Sequence, residues 1–370
     1  MKHGVILGKH LDISRAELFA QGIEIEKHYL QVAVFDDTKN VDFTKLAWIV
    51  KRGEVIRTDS VTATDLIWVS SAELGNFFKK KGLCRRYKDF DVLHTDEEIK
   101  NKWKEYIRLD KDFEFVLEIT GYQDISRFSC IDFDKPVNSM QIGMMPAKLT
   151  QIMVNIATGK LQWQKDFSTS LEMTNGKLQW QNDEMTKGVW TEGSTPKGIT
   201  VYDPFMWLGT TYMVANSMWY NVLGSDINIT PAKQNLPWWE KQAYYQKLPL
   251  TLFSHDVTQS INKPMLKHVS CIVTEWWLGH IISGKTKPHE IAEYALEIEK
   301  LYKAWINNMM PIWEHMIIVC SIPWHVWGEN KHVVNILQHC EWKGIRVETV
   351  PQVYTRAGQK VGRKLVTLRW

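Results

Sequence analysis

Residues 199–230 constrain the fold more than any other stretch of this chain. Residues 199–202 read Ile-Thr-Val-Tyr, a run that suits a buried strand of a parallel sheet. Asp203-Pro204 ends the run, because proline cannot donate a hydrogen bond to a strand ladder. A turn that contains Gly209 then leads into a helix. This order of strand, turn and helix is typical of an open α/β sheet.

Residues 220–225 form the next predicted strand, and Asp226 follows its carboxyl end. Ligands of open α/β sheets bind at that edge. A carboxylate there is placed to accept hydrogen bonds from ribose hydroxyls, as in dinucleotide-binding folds. No Gly-x-Gly-x-x-Gly follows a strand in this sequence, which argues against a dinucleotide-dependent dehydrogenase.

The length and the cysteine pattern limit the remaining classes. A chain of 370 residues is long enough for two domains, and a net charge of +3 decides little about partners. Its five cysteines have no paired spacing, which argues against a disulfide framework or a zinc site. No apolar run approaches the roughly 18–20 residues of a membrane span, and the apolar run near the first residue is too short for a signal peptide. We therefore expect a soluble cytoplasmic protein without a metal.

Residues 1–120 read as a smaller α+β unit. The predicted strands lie at 4–7, 28–35, 45–56, 65–70 and 113–120, and the predicted helices at 13–21, 72–80 and 96–106. Within this unit, residues 77–88 interleave aromatic side chains with six cations: Lys79, Lys80, Lys81, Arg85, Arg86 and Lys88. These cations could contact phosphates while the aromatics stack on bases. The alternative is a solvated helix end whose lysines complement the helix dipole.

Two segments carry a resemblance to a known family. Asp203-Pro204-Phe205-x-x-x-Gly209-Thr210 resembles motif I of the S-adenosylmethionine-dependent amino-methyltransferases, which usually reads Asp-Pro-Phe-Cys-Gly-x-Gly-Thr. Residues 135–155 resemble the segment that precedes this motif in the THUMP-containing tRNA guanosine-N2 methyltransferases and the related RNA methylases. The resemblance covers about residues 120–370 and is loose before that.

The resemblance implies a fold and a division of the chain. Residues 121–370 would form a Rossmann-like methyltransferase domain, with a parallel sheet and a closing antiparallel strand near the end of the chain. Residues 1–120 would form a THUMP-like RNA-binding domain. Residues 158–198 are polar and contain Gly-Lys-Leu-Gln-Trp-Gln twice, at 159 and 176, so we expect an insertion loop or hairpin there.

The resemblance also implies a cofactor, S-adenosylmethionine, and its contacts. Asp226 would bind the ribose and Asp256 the adenine amino group, although a lone Asp after a strand is more often a turn residue. The implied cofactor-binding residues are Asp203, Pro204, Phe205, Trp207, Gly209, Thr210, Asp226, Ile227, Asp256, Met140, Gly143 and Lys148.

Glu275 and Trp277 stand where amino-methyltransferases usually carry Asp-Pro-Pro-Tyr. Glu275 would accept the hydrogens of the target amine and Trp277 would stack on the target base, but both prolines are absent. Glu275 as a plain strand-end turn residue remains the alternative. Further on, residues 354–364 form a basic, glycine-bearing segment in which Arg356, Lys360 and Arg363 would contact RNA phosphate, unless it is only an exposed hairpin.

Tryptophan stands where glycine is expected at three turn positions. Trp207 replaces the first glycine of motif I, and Trp219 and Trp276 occupy turns in which relatives carry glycine. The chain has 18 tryptophans. We hypothesise that several are glycines in the source organism, whose genetic code would read a stop codon as glycine. The alternative is a diverged and inactive methyltransferase.

The sequence thus predicts a methyltransferase that acts on an exocyclic amine of an RNA base, with guanine N2 in tRNA as its target and RNA as its partner. The alternatives are a DNA adenine or cytosine amino-methyltransferase, and an inactive RNA-binding protein with the same fold.

Overall fold

The computed structural model describes most of the chain, which folds as two compact units. One unit comprises residues 1–44 and 48–123, and the other comprises 45–47 and 124–370. The described residues are 2–29, 31–36, 43–61, 64–89, 104–109, 111–112, 114–138, 144–174, 198–261, 263–280, 282, 285–310, 316–326, 330–356 and 358–370.

In the described residues, the first unit is a sheet with two helices. Its strands are β1 Lys2–Leu7, β2 Lys27–Tyr29, β3 Val32–Asp36, β4 Ile49–Arg57, β5 Thr64–Val69, β6 Cys84–Asp89, β7 Lys104–Arg108 and β8 Phe115–Tyr122, and its helices are α1 Leu11–Ala20 and α2 Ala72–Lys80. The strand order is β2-β3-β1-β4-β8-β7-β5-β6. All pairs are antiparallel except those of β5, which runs parallel to β6 and β7.

The sequence located most of these elements, because the β-rich runs alternate clearly with polar turns. The predicted helix at 96–106 is wrong at its end, since Lys104–Arg108 forms β7. The reason is tertiary: Tyr106 is fully buried between α2 and the sheet, where an extended strand pairs with both β5 and β8. Residues 96–103 lie outside the described residues.

The second unit follows an α/β order. Its strands are β9 Thr200–Asp203, β10 Asn221–Asp226, β11 Leu250–Ser254, β12 Cys271–Glu275, β13 Ile317–His325, β14 Arg346–Tyr354 and β15 Val361–Arg369. Its helices are α3 Ile125–Ser129, α4 Ala147–Thr174, α5 Thr210–Ser217, α6 Thr230–Trp239, α7 Lys263–Leu266, α8 Pro288–Met309 and α9 Lys331–Trp342.

The seven strands of the second unit pair in the order β11-β10-β9-β12-β13-β15-β14. Strand β15 pairs antiparallel with β13 and β14, and the pairs among the other strands are parallel. This confirms the predicted Rossmann-like methyltransferase sheet with a closing antiparallel strand. The order reverses at β9, so the carboxyl ends of β9, β10 and β12 flank a topological switch point, where such sheets bind ligands.

Apolar side chains cover both faces of this sheet. Ile318, Cys320 and Ile322 of β13 pack in one cluster with Tyr302 of α8 and Ile336 of α9. On the other face lies α4, whose residues 149–157 are all buried. Burial on both faces explains why the central strands read as nearly continuous apolar runs.

Helix α4 is longer than the sequence predicted. It continues through Thr174, so the expected insertion loop at 158–198 is wrong for residues 158–174. This segment is polar, but it contains no proline and only one glycine, Gly159. Polarity does not stop a helix, and its Lys, Gln, Leu and Glu residues have good helix propensity. The second copy of the hexapeptide, at 176–181, lies outside the described residues.

Within the part of the chain that the structure describes, every helix is too short or too polar to cross a membrane.

Candidate functional site

A pocket opens at the carboxyl edge of the seven-stranded sheet. Its volume is about 500 Å³, within the range of small-molecule sites. The lining is mostly apolar, with carboxylates from three strand ends. The lining residues are Met144, Met145, 203–208, Thr210, Thr211, 226–228, 255–257, 275–278 and Leu301.

The motif I turn forms one wall of this pocket. The Met206 amide donates to the carbonyl of Ser225 on β10 (2.9 Å), and the Gly209 amide donates to the Met206 carbonyl (2.7 Å). Gly209 has a φ of 80°, a left-handed conformation that glycine adopts without steric cost. Helix α5 begins directly after it, so the helix N-terminus lies at the pocket.

Asp203 ends strand β9 beneath the turn and is 2% exposed. Its Oδ1 accepts hydrogen bonds from the Phe205 amide (3.0 Å) and the Thr274 hydroxyl (2.6 Å). Burial raises the pKa of Asp203 to about 7, although the hydrogen bonds oppose this. Asp203 therefore fixes the turn against β12 and also borders the pocket.

Asp226 lies where the sequence placed it, at the end of β10 and on the pocket lining. Its Oδ2 accepts from the Trp207 amide (3.0 Å) and its Oδ1 from the Asn228 amide (2.8 Å). Burial raises the pKa of Asp226. Each oxygen keeps a lone pair for a further donor, so the carboxylate can still receive ligand hydroxyls.

The far end of the pocket is lined by Ile227, His255 and Asp256. Ile227 is 73% exposed, a large apolar side chain that offers a flat contact to a ring. Asp256 accepts from the Thr258 amide (2.9 Å) and hydroxyl (2.8 Å), which lower its pKa. This is the geometry of a turn residue, yet Asp256 also borders the pocket. No sequence pattern pointed to His255, whose amide donates to the Asp226 carbonyl (3.0 Å).

Glu275 closes strand β12 on the pocket side, and its side chain is 13% exposed. Its Oε1 accepts a hydrogen bond from Nε of Arg363. The prediction that Arg363 contacts RNA phosphate from a basic hairpin is wrong: Arg363 lies on β15, is 1% exposed, and pairs with the carboxylate at the pocket. The physical reason is strand alternation, which puts Arg363 on the same face of β15 as the buried Leu365.

Two tryptophans follow Glu275, and they differ in exposure to the pocket. Trp277 is 38% exposed at the pocket, and its ring lies 5.2 Å from that of His280. Trp276 is fully buried and stacks on Tyr302, with ring centroids 3.8 Å apart. Only Trp277 of this pair is therefore accessible to a planar ligand.

Lys135 is a site neighbour that sequence reasoning missed. Its Nζ donates to the Thr210 hydroxyl at the start of α5 (2.9 Å), and the side chain is 2% exposed. Burial lowers the pKa of Lys135 to about 8, against the attraction of Asp132 and Glu275. Nothing local in the sequence distinguishes this lysine, because its partner lies 75 residues later.

Among the described residues, the non-glycine positions with positive φ are Trp207 (26°) and Trp219 (69°). Trp219 follows helix α5: its amide donates to the Asn216 carbonyl (2.9 Å) and the next amide, Tyr220, donates to Ala215 (3.0 Å). These two bonds define a Schellman motif with Trp219 at C′, the position most often taken by glycine. Trp276 is not among the positive-φ residues, so its backbone does not require glycine.

Within the second unit, the other residues predicted to bind the cofactor or RNA lie at separate places or outside the described residues. Lys148 is not among the lining residues and lies over the Phe128 ring (5.4 Å). Arg356 donates through Nε to the Tyr354 hydroxyl (2.8 Å), and Lys360 is half-buried on the same hairpin. Met140 and Gly143 lie outside the described residues.

The basic stretch of the first unit is surface-exposed where it is described. Lys79 and Lys80 form the last turn of α2, Lys81 follows it, and Arg85 and Arg86 lie on the edge strand β6. The backbone of Lys88 continues β6, and its side chain is outside the description. Both the RNA contact and the solvated helix end are compatible with this placement.

No cluster of His, Cys, Asp or Glu side chains within the described residues has the arrangement of a metal site.

Fold and pocket together define a class: an α/β unit with the Rossmann-like methyltransferase sheet and a pocket of nucleoside size at its carboxyl edge. No family model and no curated protein matches the chain. Among solved structures, the chain is similar to a possible methylase from Clostridium difficile 630, with 9% identity over 100% of this chain and 98% of that one, and a TM-score of 0.46.

It is also similar to P. horikoshii TYW2 in complex with MeSAdo, with 11% identity over 46% of this chain and 56% of that one (TM-score 0.32). A third is magnesium protoporphyrin IX methyltransferase from Synechocystis PCC 6803 with bound SAM, with 14% identity over 66% and 90% (TM-score 0.33). Likenesses this distant decide nothing about the activity.

Proposed function

We propose that the second unit binds S-adenosylmethionine and transfers its methyl group to an exocyclic amine of an RNA base, with guanine N2 in tRNA as the target. The observation that carries this proposal is the pocket, where Asp226 and Glu275 stand at strand ends on the two sides of β9. A carboxylate for ribose hydroxyls on one side and an acceptor for an amine on the other suit a nucleoside cofactor and an amine substrate.

The described residues fit that cofactor. Asp226 would accept from the ribose hydroxyls, Ile227 would contact the adenine, and Asp256 would accept from the adenine amino group. The Gly209 turn and the start of α5 would hold the methionine end, since helix N-termini favour a carboxylate. S-adenosylmethionine, when bound, supplies an electrophilic methyl sulfonium.

The remaining work is positioning. Glu275 would accept a hydrogen bond from the target amine and direct the nitrogen lone pair toward the pocket, while Trp277 stacks on the base. Such fixed geometry supplies most of the rate in reactions that need no strong base. The exposed cations Lys79, Lys80, Lys81, Arg85 and Arg86 would bind RNA phosphates, and their charge and exposure support RNA as the partner.

We further propose that positions 207 and 219 carry glycine in the protein that the source organism makes. Both adopt φ values that tryptophan rarely takes, and a strained non-glycine φ costs on the order of 1–3 kcal/mol. Trp207 also places an indole on the pocket wall next to Asp226. The codons at both positions test this: ordinary tryptophan codons would exclude it.

A calorimetric titration tests the cofactor assignment in two proteins, the chain as written and its W207G variant. We expect the glycine variant to bind S-adenosylmethionine at least tenfold more tightly. The matched control is W277G. It removes an indole from the pocket at a position where the backbone φ is not positive, so it should not strengthen binding. If neither protein binds, the cofactor assignment is wrong.

Methyl transfer from labelled S-adenosylmethionine to unmodified tRNA transcripts and to duplex DNA tests the substrate. We expect label in tRNA and in its guanine N2 after nucleoside analysis. Label in DNA alone would favour the DNA amino-methyltransferase.

The second candidate is an RNA-binding protein without activity. The observation that favours it is the Trp207 indole at the pocket, if that tryptophan is genuine. It predicts tRNA binding without cofactor binding in the chain as written.

A further inference from the structure

Arg363 is a deeply buried cation that touches the pocket carboxylate Glu275, and three of its contacts lie among the described residues. Nε donates to Glu275 Oε1, Nη2 donates to the Met144 carbonyl (3.2 Å), and the guanidinium carbon lies 6.0 Å from the centre of the Tyr354 ring. Its backbone pairs with Pro323 on one side and Tyr354 on the other. The backbone of Arg363 is therefore fixed within the sheet, and its guanidinium is in contact with β12, with β14 and with the segment before α4.

Glu275 is engaged on one side only. Oε1 is taken by Arg363, and no other described residue makes a hydrogen bond to the carboxylate. The side chain keeps 13% of its surface exposed and lines the pocket. Oε2 is thus the oxygen that remains for an incoming donor, and a fixed guanidinium holds the whole carboxylate plane in place.

We propose that Arg363 is a positioning residue for methyl transfer: it holds Glu275 in place as an anion whose second oxygen accepts a hydrogen bond from the amine of the target base. This inference rests on the proposed function, because it assumes that Glu275 receives an amine. It assigns to the last strand of the sheet a role in catalysis rather than in RNA binding.

The charge balance explains why the arginine matters. Burial raises the pKa of Glu275, and Arg363, Arg356 and Lys135 oppose that rise, with Arg363 the largest of the three. The other titratable group beside it is Tyr302, whose own pKa is raised by burial and by Glu275. Without Arg363 the carboxyl would take up a proton at higher pH, and a protonated carboxyl offers a donor where the amine needs an acceptor.

The experiment compares R363M and R363K with their parent, all in the W207G background if that variant binds the cofactor. R346M is the matched control, since Arg346 is 75% exposed on β14 and pairs only loosely with Glu348 (3.6 Å). Single-turnover methyl transfer to tRNA transcripts is followed from about pH 5 to about pH 9, and the pH of half-maximal rate is compared between the variants. A second readout is the carboxyl ¹³C shift of Glu275 against pH, assigned by its loss in E275Q.

For R363M we expect the half-activity pH to rise by about one unit or more, since an arginine shifts a neighbouring carboxyl by about 1–3 units. The rate at neutral pH should fall about tenfold to a hundredfold with unchanged affinity for S-adenosylmethionine, as expected for lost positioning. R363K should restore the pH profile but not the full rate, because lysine keeps the charge and loses the planar donors. R346M should match the parent.

A parent-like pH profile and rate in R363M, or an unmoved Glu275 titration, would overturn the inference. If R363M does not fold, R363K and the carboxyl titration decide: a normal rate in R363K excludes a positioning role. Failure of the proposed function is recognised separately, because then the parent itself neither binds S-adenosylmethionine nor methylates tRNA.

Discussion

Glu105 of the first unit and Glu275 of the second are both buried against a cation, and they differ in how many of their oxygens are bound. In the first unit, Glu105 accepts from Lys51 through Oε1 (2.5 Å) and from the Tyr122 hydroxyl through Oε2 (2.7 Å), and it is 5% exposed. In the second unit, Glu275 accepts from Arg363 through Oε1 alone and borders the pocket.

This difference distinguishes a carboxylate with a structural role from one that can bind a ligand. Glu105 accepts from a side chain on each of its oxygens and is not among the pocket-lining residues, so its role is to stabilise its sheet. In Glu275 the bond to Oε1 holds the carboxylate in place, and Oε2 is left to accept a hydrogen bond from a ligand. Burial and an ion pair alone therefore do not mark a functional site; a carboxylate that also borders a cavity and keeps acceptor capacity is the better candidate.

The largest expected effect comes from removing the cation of the closed pair. K51M leaves Glu105 buried without its charge partner, which should reduce the free energy of unfolding of the first unit by about 3–5 kcal/mol in urea titrations. The surface pair Lys104–Glu118 provides the control, since K104M should cost no more than about 1 kcal/mol. An equal loss in both variants would contradict the distinction between buried and exposed pairs.

Neutralising the two glutamates should separate their roles. E275Q presents an amide to the target amine, so methyl transfer should fall about a hundredfold, as expected for lost positioning. E105Q should leave transfer unchanged and reduce the stability of the first unit. The measurement is single-turnover transfer alongside thermal unfolding of both variants; comparable transfer rates would show that Glu275 is no different from Glu105.

Asp203 sharpens the comparison, because it is a buried carboxyl with only neutral donors around it. Its folded pKa of about 7 lies above the unfolded value near 4, so the folded state binds the extra proton. This contribution to stability is complete below about pH 4 and is lost as the pH rises through about 7. A full difference of about 3 in pKa corresponds to an effect on the order of 4 kcal/mol.

D203N should remove that part of the pH dependence, measured as urea unfolding between about pH 4.5 and about pH 7.5, the window between the two pKa values. D256N is the control that should keep the slope of the parent in this window, since hydrogen bonds from Thr258 lower the pKa of Asp256 and place its titration at more acidic pH. Its contribution is present above about pH 4 and is lost on acidification. A parent-like slope in D203N would mean that Asp203 is ionised in the folded protein throughout.

The smallest effect concerns the tryptophan outside the pocket. Trp219 is 48% exposed, so W219G loses little packing and relieves the left-handed backbone. We expect a gain of about 1 kcal/mol in unfolding free energy. W219A should bring no such gain, because alanine has the same steric conflict at positive φ. Equal stabilities of W219G and W219A would argue against a glycine position.

The sequence predicted most of the second sheet because its central strands are apolar on both faces, and β9 and β10 end at Asp. Asp203, Asp226 and Glu275 were found at strand ends by the same reasoning, and the structure brings all three to one pocket. Their roles toward a cofactor stay predictions.

What the sequence did not reveal depends on contacts distant along the chain. Lys135 meets Thr210 75 residues later, and no local pattern announces such a pair. Arg363 left no usable signal, because residues 364, 366 and 368 are no more polar than residues 363, 365 and 367, so the pattern does not say which face of the strand is buried. The basic composition of the hairpin then favoured an exposed arginine.

The strand order has a consequence for how the chain folds. Strand β15 follows β14 directly and pairs with it antiparallel, so the two can form a hairpin locally, whereas β15 reaches β13 and the pocket only when that hairpin docks on the sheet. Glu275 and Arg363 are 88 residues apart, and such long-range pairings form slowly. We therefore expect the pocket carboxylate to acquire its partner when the hairpin docks. During refolding, the recovery of cofactor binding should lag behind the recovery of helix content.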